Sequence, residues 1–411
     1  MTTTKNNEHK KLNVPNKQEQ NQTCLDSAER EGLRPKGNVP NLRFPEFQRE
    51  WEKCRLGDVC TFLSGGTPKI DVKEYWNGTI PFVSAISMHD TYILDSKLHI
   101  SEEGLKHGSR LLTKDNLLLL VRGSMLWNTI PICLNKNDVA FNQDVKGIIA
   151  NDTINNEFLL YWLKSKEQRL KYMVTGTGLG AGKLDTSDLL SMIVYIPAMK
   201  EQDKVARLLS LFDERIATQN KIIDKLQSLI KGIRNDVYGK LRKSVGFNAM
   251  ISDVLSYEQP QPYIVENTEY TAEGFPVLTA NKAFVLGYTS EINGIYDKGD
   301  CIIFDDFTLD CKYVDFPYKI KSSAIKILTA KNKELLRYTF EFLKYLDLST
   351  EEHKRHYIAE TQNQEFIMPT EQMVKTIAHI FSTLSLRMET AVKQRDVFEK
   401  QKQYLLRQMF I

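Results

Sequence analysis

The spacing of apolar positions switches between two regimes along this chain, and the switch happens twice. In the first long stretch, Val205, Leu209, Phe212, Ile216, Gln219, Ile223, Leu226, Ile230, Ile233 and Val237 fall at alternating steps of four and three, and nine of the ten are apolar. That is the seam pattern of a coiled coil. The pattern returns at an offset set by Pro197 and Pro369 (369 − 197 = 172), as Ile377, Phe381, Leu384, Met388, Ala391, Arg395, Phe398, Lys402, Leu405 and Met409, eight of them apolar. Matching residues recur at the same offset: Arg215 falls on Arg387, and the aromatic Tyr238 on the aromatic Phe410. Both prolines suit a helix start, where a missing N–H costs little. Each helix of about 40 residues would be about 60 Å long at 1.5 Å per residue. Neither can bury such a stripe in a small module of its own, so the two seams are predicted to pack on each other, antiparallel.

Between and before these helices the period shortens. Residues 53–198 carry short apolar runs (CTFL, TIPFVSAI, NLLLLV, AFNQDVKGIIA) broken by Gly, Asn, Asp and Pro, which predict strands and turns. One segment, Asn155–Val174, has helical spacing that puts Phe158, Tyr161, Trp162 and Leu170 on a shared face. Residues 246–367 repeat the scheme: a D-V pair (Asp58-Val59, then Asp253-Val254) and a turn into a strand at Pro81 and then Pro276 both recur at one offset (253 − 58 = 195; 276 − 81 = 195). The helix predicted at Lys333–Leu346 matches the first module's helix in order. The expected fold is α+β: two globular modules of mixed strands and helices, diverged copies of each other, separated by two long helices packed as an antiparallel coiled coil. The boundaries read as a poorly packed polar tail at 1–37, a first module at 38–198, a helix at 199–245, a shorter second module at 246–367 and a second helix at 368–411. Phe44, Phe47 and Trp51 mark where packing begins.

Composition narrows the function class only a little. The chain has 411 residues, 42% hydrophobic and 26% charged, as expected of a globular protein. A formal net charge of +3 permits a nucleic-acid partner only if the cations gather on one face. The run Leu117–Val121 is far short of the roughly 20 residues a membrane span needs, and the polar N-terminus has no signal core, so a cytoplasmic location and no membrane partner are expected. Six cysteines without a CxxC pair suggest reduced, mostly buried thiols.

An ordered set of motifs is more specific than any of these properties. It runs LRFPEF…W, LGDV (Leu56–Val59), SGGTPK (Ser64–Lys69), WNGTIPFV (Trp76–Val83), VRGS (Val121–Ser124), AFNQD (Ala140–Asp144), then a glycine-rich segment leading to YIP and EQDKVARLLSLFD (Glu201–Asp213). With this set the chain, from Asn38 to Ile411, resembles the specificity subunits of Type I restriction–modification systems. The resemblance implies that each module is a target-recognition domain reading one half of a split double-stranded DNA site. It implies that the helices set the gap and dock two methyltransferase (M) subunits, joined by restriction/translocase (R) subunits. It also implies that the chain itself is non-catalytic and binds no cofactor, with S-adenosylmethionine, ATP and Mg2+ belonging to the partner subunits. The tail before Asn38 lies outside the resemblance, and in the second module YEQPQPY (Tyr257–Tyr263) stands where SGGTPK would be.

Candidate DNA-contacting residues follow, each with a plainer alternative. Ser64, Gly65, Gly66, Thr67 and Lys69 offer a turn with exposed N–H groups, hydroxyls and a cation suited to phosphate and base edges, or else an ordinary strand turn. Tyr75, Trp76 and Asn77 could flank DNA, with Trp76 the better core residue. Arg122 and Ser124 suit a phosphate or guanine contact. GTGLGAGK (Gly176–Lys183) fits neither a P-loop nor a dinucleotide fingerprint. Its Gly178 and Lys183 are read as a flexible loop against the DNA backbone, or as a linker. Asn142 and Gln143 are amides able to grip adenine, with a framework role favoured here. In the second module Asn281, Lys282, Lys312, Lys319, Lys321, Arg355, His356, Gln362 and Asn363 are polar candidates on what could equally be a solvated face. An exposed flank on the first helix (Arg207, Asp213, Arg215, Lys221, Asp224, Lys225) is available to partners. The alternative from another class is a standalone metal-dependent nuclease built on Asp305, Asp306, Asp310 and Lys312. A third reading is a coiled-coil scaffold with no DNA role. HExxH and a base-methylation motif are absent, which favours a binding protein.

Overall fold

The computed structural model describes residues 37–411 apart from Leu179, residues 281–282 and residues 351–354. The tail expected at 1–37 therefore lies, save Gly37, outside the described residues. The chain divides into two compact units. The first contains residues up to Ile216 together with Val397–Ile411, and the second contains Ala217–Asp396.

The first unit runs β1 (Glu52–Arg55), α1 (Leu56–Val59), β2 (Cys60–Ser64), β3 (Ile80–Val83), β4 (Tyr92–Ile93), β5 (Leu98–Ile100), α2 (Glu102–Lys106), β6 (Leu111–Leu112), β7 (Leu117–Leu120), β8 (Arg122–Gly123), β9 (Ile132–Asn135), β10 (Val139–Phe141), β11 (Val145–Ala150), α3 (Asn156–Ser165), α4 (Glu167–Tyr172), β12 (Thr175–Thr177), β13 (Ala181–Lys183), α5 (Thr186–Ser191) and β14 (Ile193–Ile196), then enters α6 (Met199–Ser244). A five-stranded sheet in the order β2-β11-β7-β9-β4 faces the main core, and a four-stranded sheet β5-β3-β10-β6 stands beside it. The four leucines of β7 are all fully buried, as a central strand covered on both faces requires. The helix expected over Asn155–Val174 is two helices broken at Lys166. Asn155 caps the first through Phe158 N–H at 3.0 Å, and Phe158, Tyr161, Trp162 and Leu170 are buried.

The second unit repeats this plan with β15 (Ala249–Met250), α7 (Ile251–Val254), β16 (Leu255–Glu258), β17 (Phe275–Leu278), β18 (Val285–Thr289), β19 (Cys301–Asp305), β20 (Cys311–Val314), β21 (Lys319–Ile320), β22 (Ile325–Ala330), α8 (Lys333–Leu346), β23 (Glu365–Phe366) and α9 (Glu371–Gln408). The strand orders correspond: β2-β11-β7-β9 to β16-β22-β19-β20, and β5-β3-β10 to β18-β17-β21, with a parallel pair in the same place of the smaller sheet (Phe82 beside Ala140; Val277 beside Lys319). The repeated D-V motif has a physical cause. In each copy it forms a one-turn helix whose aspartate accepts the N–H three residues back, Asp58 from Arg55 at 2.9 Å and Asp253 from Met250 at 2.7 Å.

Each unit also contains a pair of long-helix segments. In the first, Phe212 of α6 meets Phe398 of α9 edge-on at 6.5 Å, while Leu42 N–H reaches Gln408 O at 2.9 Å and Arg43 grips Glu201 at 2.7 Å, so the later part of α9 lies against the earlier part of α6. In the second, Ile230 and Tyr238 share a core with Ile377 and Phe381, and Gln219 hydrogen-bonds Gln394, again antiparallel. All twenty residues of the predicted seam are buried or half-buried, including Gln219 and Lys402.

One expectation about the flank needs correction. Asp213 is not on a free face. It accepts Tyr161 OH at 2.7 Å and pairs with Lys402, because Tyr161 on α3 and Lys402 on α9 both turn inward at that point. The second unit has a comparable polar clasp. Glu341 of α8 is 1% exposed and binds Arg234 of α6 at 2.7 Å and Arg337 of its own helix at 2.8 Å, and Arg337 also bonds Ser385 of α9. Removing one partner of a buried pair leaves an uncompensated charge. Glu341→Ala is therefore expected to destabilise the second unit by about 3–5 kcal/mol, measured by chemical denaturation. Glu341→Gln, which keeps a hydrogen-bond acceptor, is expected to cost clearly less.

Candidate nucleic-acid interface

Four of the motifs singled out in the sequence meet at one edge of the first unit. The SGGTPK turn leaves β2, and Gly66 N–H donates to Phe141 O at 3.0 Å. A Cβ on Gly65 would lie 2.2 Å from Phe141 O, and one on Gly66 2.3 Å from Gly108 O. The two glycines are there because neighbouring backbone approaches too closely for any side chain. Thr67 Oγ1 donates to Gln143 Oε1 at 2.7 Å, tying this turn to the loop 142–144 between β10 and β11. Lys146 Nζ donates to Ser64 Oγ at 2.6 Å across β2 and β11. The VRGS turn is fixed from the same loop, with Val121 and Arg122 N–H both donating to Asp144 O at 2.8 and 3.3 Å. Strand β13 of the glycine hairpin then pairs with β8, placing Lys183 opposite Arg122.

Ser64, Thr67, Lys69, Arg122, Ser124, Gln143 and Gly178 are exposed at or near this edge. The two amides divide as the loop dictates. Asn142 is folded back, its Oδ1 accepting Asp144 N–H at 3.2 Å, a framework role, whereas Gln143 stands outward. Lys183 is half-buried and bridges to Asp185 at 2.9 Å, which holds that exposed carboxyl below its ordinary range. Tyr75 stacks on His107 with ring centroids 5.3 Å apart, and Trp76 packs on Phe82 as a core residue. Two contributors escaped the sequence reading. Lys146 sits on an apolar strand with no motif around it. Trp127, half exposed, donates its indole N–H to Gly180 O at 3.0 Å and so tethers the glycine hairpin.

The second unit builds the equivalent edge with the same backbone skeleton. Lys321 N–H donates to Leu278 O at 3.1 Å, as Asn142 does to Val83 O. Asp306 N–H donates to Ala324 O, as Val121 does to Asp144 O, and His356 N–H to Asp306 O, as Leu184 does to Val121 O. By this correspondence the loop 321–324 takes the place of 142–144, and Arg355 takes the place of Lys183. Lys321 and Arg355 are exposed there, and Arg355 Nη2 lies 3.5 Å from Ser323 Oγ.

The other second-unit candidates have mainly internal partners. Lys319 is buried against Glu291 at 2.5 Å, Lys312 pairs with Asp310 at 3.3 Å, and His356 is buried with Nδ1 2.8 Å from Glu360. Gln362 and Asn363 bond the carbonyls of Ile358 and Ala359 at 2.8 and 3.3 Å. Asn281 and Lys282 lie outside the described residues. YEQPQPY forms the end of β16 and a tight turn whose Tyr263 is core and donates to Glu258 at 2.5 Å.

The acidic cluster considered for a nuclease is engaged in holding loops. Asp305 accepts the N–H groups of Phe307 and Thr308, Asp306 those of His356 and Tyr357, and Asp310 pairs with Lys344 at 2.6 Å. Among the described residues no group of three or more His, Cys, Asp or Glu is placed to hold a metal ion, and no helix is long and apolar enough to cross a membrane. The described cysteines are free thiols. Burial pushes Cys60, Cys133, Cys301 and Cys311 up to about 12.

Comparison with known proteins places this geometry. Residues 48–228 match the family model of the Type I restriction modification DNA specificity domain. The match covers less than half of the chain. The EcoR124I/EcoR124II specificity subunit of Escherichia coli is 42% identical over 126 residues, covering 29% of this chain and 31% of the relative. The MjaIX specificity subunit of Methanocaldococcus jannaschii is 29% identical over 188 residues, covering 44% and 43%. The chain thus aligns with less than half the length of either relative. The fold is that of a Type I restriction–modification S subunit from M. genitalium, with a TM-score of 0.62 at 16% identity over 91% of this chain and 99% of that one.

The tightest constraint at this edge is the Gly65 backbone. Gly65→Ala is expected to push the turn off Phe141 O, where its Cβ would sit at 2.2 Å. The measurement is amide hydrogen exchange: Gly66 N–H should lose protection while β16 and β22 of the second unit keep theirs.

Proposed function

We propose that this chain is the sequence-specific DNA-binding subunit of a Type I restriction–modification complex, and that each unit reads one half of a split, asymmetric duplex site. The observation that carries the reading is the pair of equivalent edges: one backbone skeleton, used twice, presents different polar tips (Thr67, Gln143, Arg122 and Lys183 in one; Lys321, Ser323 and Arg355 in the other). Cations such as Lys69, Arg122, Lys321 and Arg355 suit phosphate contact, which positions a protein on DNA, while amide, hydroxyl and guanidinium groups suit base edges, which specify sequence. Two unlike tips on a common frame are what an asymmetric site requires.

On this reading the chain is non-catalytic. Two methyltransferase subunits and the restriction/translocase subunits carry out the chemistry, with S-adenosylmethionine, ATP and Mg2+ bound there, and the complex works in the cytoplasm on double-stranded DNA. The chain selects the adenines that its partners methylate.

The test is modified-base sequencing of DNA from cells making this chain with an adenine methyltransferase partner, compared with cells making the methyltransferase alone. A split motif dependent on this chain is expected. Replacing residues 38–198 by the corresponding segment of a relative should change one half of the motif and leave the other unchanged. A motif altered in both halves, or no motif with the methyltransferase soluble and present, defeats the proposal.

A further inference from the structure

Gln143 has a combination of features found at no other candidate in the first unit. Its loop is three residues long and fixed at both ends: Asn142 N–H bonds Val83 O at 3.1 Å, Asp144 O accepts both Val121 and Arg122 N–H, and Phe141 O, just before the loop, accepts Gly66 N–H. Phe141 O also accepts Ser109 Oγ at 3.1 Å. The loop's other amide and its carboxylate are turned inward on each other, so Gln143 is the residue the frame leaves facing out. Its side chain is also held. Thr67 Oγ1 donates to Oε1, which fixes the oxygen end of the amide and leaves one Oε1 lone pair and both Nε2 hydrogens unused.

An amide with one acceptor and one donor side by side matches the N6 donor and N7 acceptor that adenine shows in the major groove. No other base offers that pair of groups in that order. Holding the amide before binding removes rotamer entropy that the contact would otherwise cost. Arg122, Lys146 and Lys69 around the loop supply cations for the backbone on either side.

We infer that Gln143, positioned by Thr67, is a specificity-determining residue that reads an adenine in the half-site bound by the first unit. The inference rests on the DNA-recognition reading above. The second unit has Ser322 and Ser323 in the equivalent loop and no amide, so its half-site is read differently.

The experiment is the same methylation sequencing, on the full chain with its methyltransferase, for wild type, Gln143→Ala, Gln143→Glu and Thr67→Val. Gln143→Ala should lower discrimination for adenine at one position of one half about tenfold, within what a single bidentate contact supplies, and leave the other half intact. Gln143→Glu lacks the donor, and an acidic side chain accepts from cytosine N4, so the preference at that position should move from adenine toward cytosine. Thr67→Val, which keeps the amide and removes its tether, should blur the same position to a smaller degree. Three results would overturn the inference: both halves unchanged by Gln143→Ala and Gln143→Glu, changes spread evenly over the two halves, or methylation lowered equally at every site, which would mark a phosphate contact. A wild-type chain that directs no split motif would instead defeat the function itself, and the two failures are told apart by the wild-type result alone.

Discussion

A helix of 46 residues with a continuous apolar stripe has no stable existence beside a module of this size, and that constraint organises everything else. In each unit the stripe is covered by a segment of the second long helix and by one short helix from the strand-rich part. The apolar contacts alone would tolerate a slip of seven residues, because a heptad pattern maps onto itself. The polar contacts do not. A slip would take Lys402 off Asp213 in the first unit and Ser385 off Arg337 in the second. Buried polar groups at seam positions are best attested as devices that set register. Here they also recruit α3 through Tyr161 and α8 through Glu341, so each strand-rich module is locked to one place on its helix pair.

With the modules fixed in this way, the two edges become comparable position by position. Their hydrogen-bond skeleton is set by backbone groups, so side chains at the tips can change without disturbing the fold. Where a substitution enters the skeleton itself, the surroundings answer it. Val121 of the first unit becomes Asp306 in the second, a buried carboxylate. It is met by two backbone N–H groups and by Lys326, whose ammonium lies 3.7 Å away. A framework that absorbs such a change can diverge widely in its loops.

How much of this was legible in the sequence depends on periodicity. The seam was fully visible because the period of 3.5 persists over ten positions in each copy, and even its polar members, Gln219 and Lys402, are on the buried side. The duplication was visible because Asp58 and Asp253 cap the same one-turn helix and Pro81 and Pro276 enter the same strand. The meeting of Thr67 with Gln143, 76 residues apart, was not visible, since nothing local in either segment records a contact made through sheet pairing. Nor was the break at Lys166, where two short helices replace one without a Gly or Pro to mark it.

Charge was the least legible property, for a reason the second unit makes plain. Its lysines look alike in sequence, yet Lys319 is 3% exposed against Glu291, Lys326 is 2% exposed against Asp306, and Lys312 is paired with Asp310. A buried ion pair contributes nothing to the field that attracts a polyanion, because its charge is matched at close range. Attraction for DNA depends on cations that reach solvent, and near the second edge these include Lys321 and Arg355. A net charge of +3 therefore says little about the exposed edges, because internal pairs such as Lys319 with Glu291 and Lys326 with Asp306 consume carboxylates and lysines together.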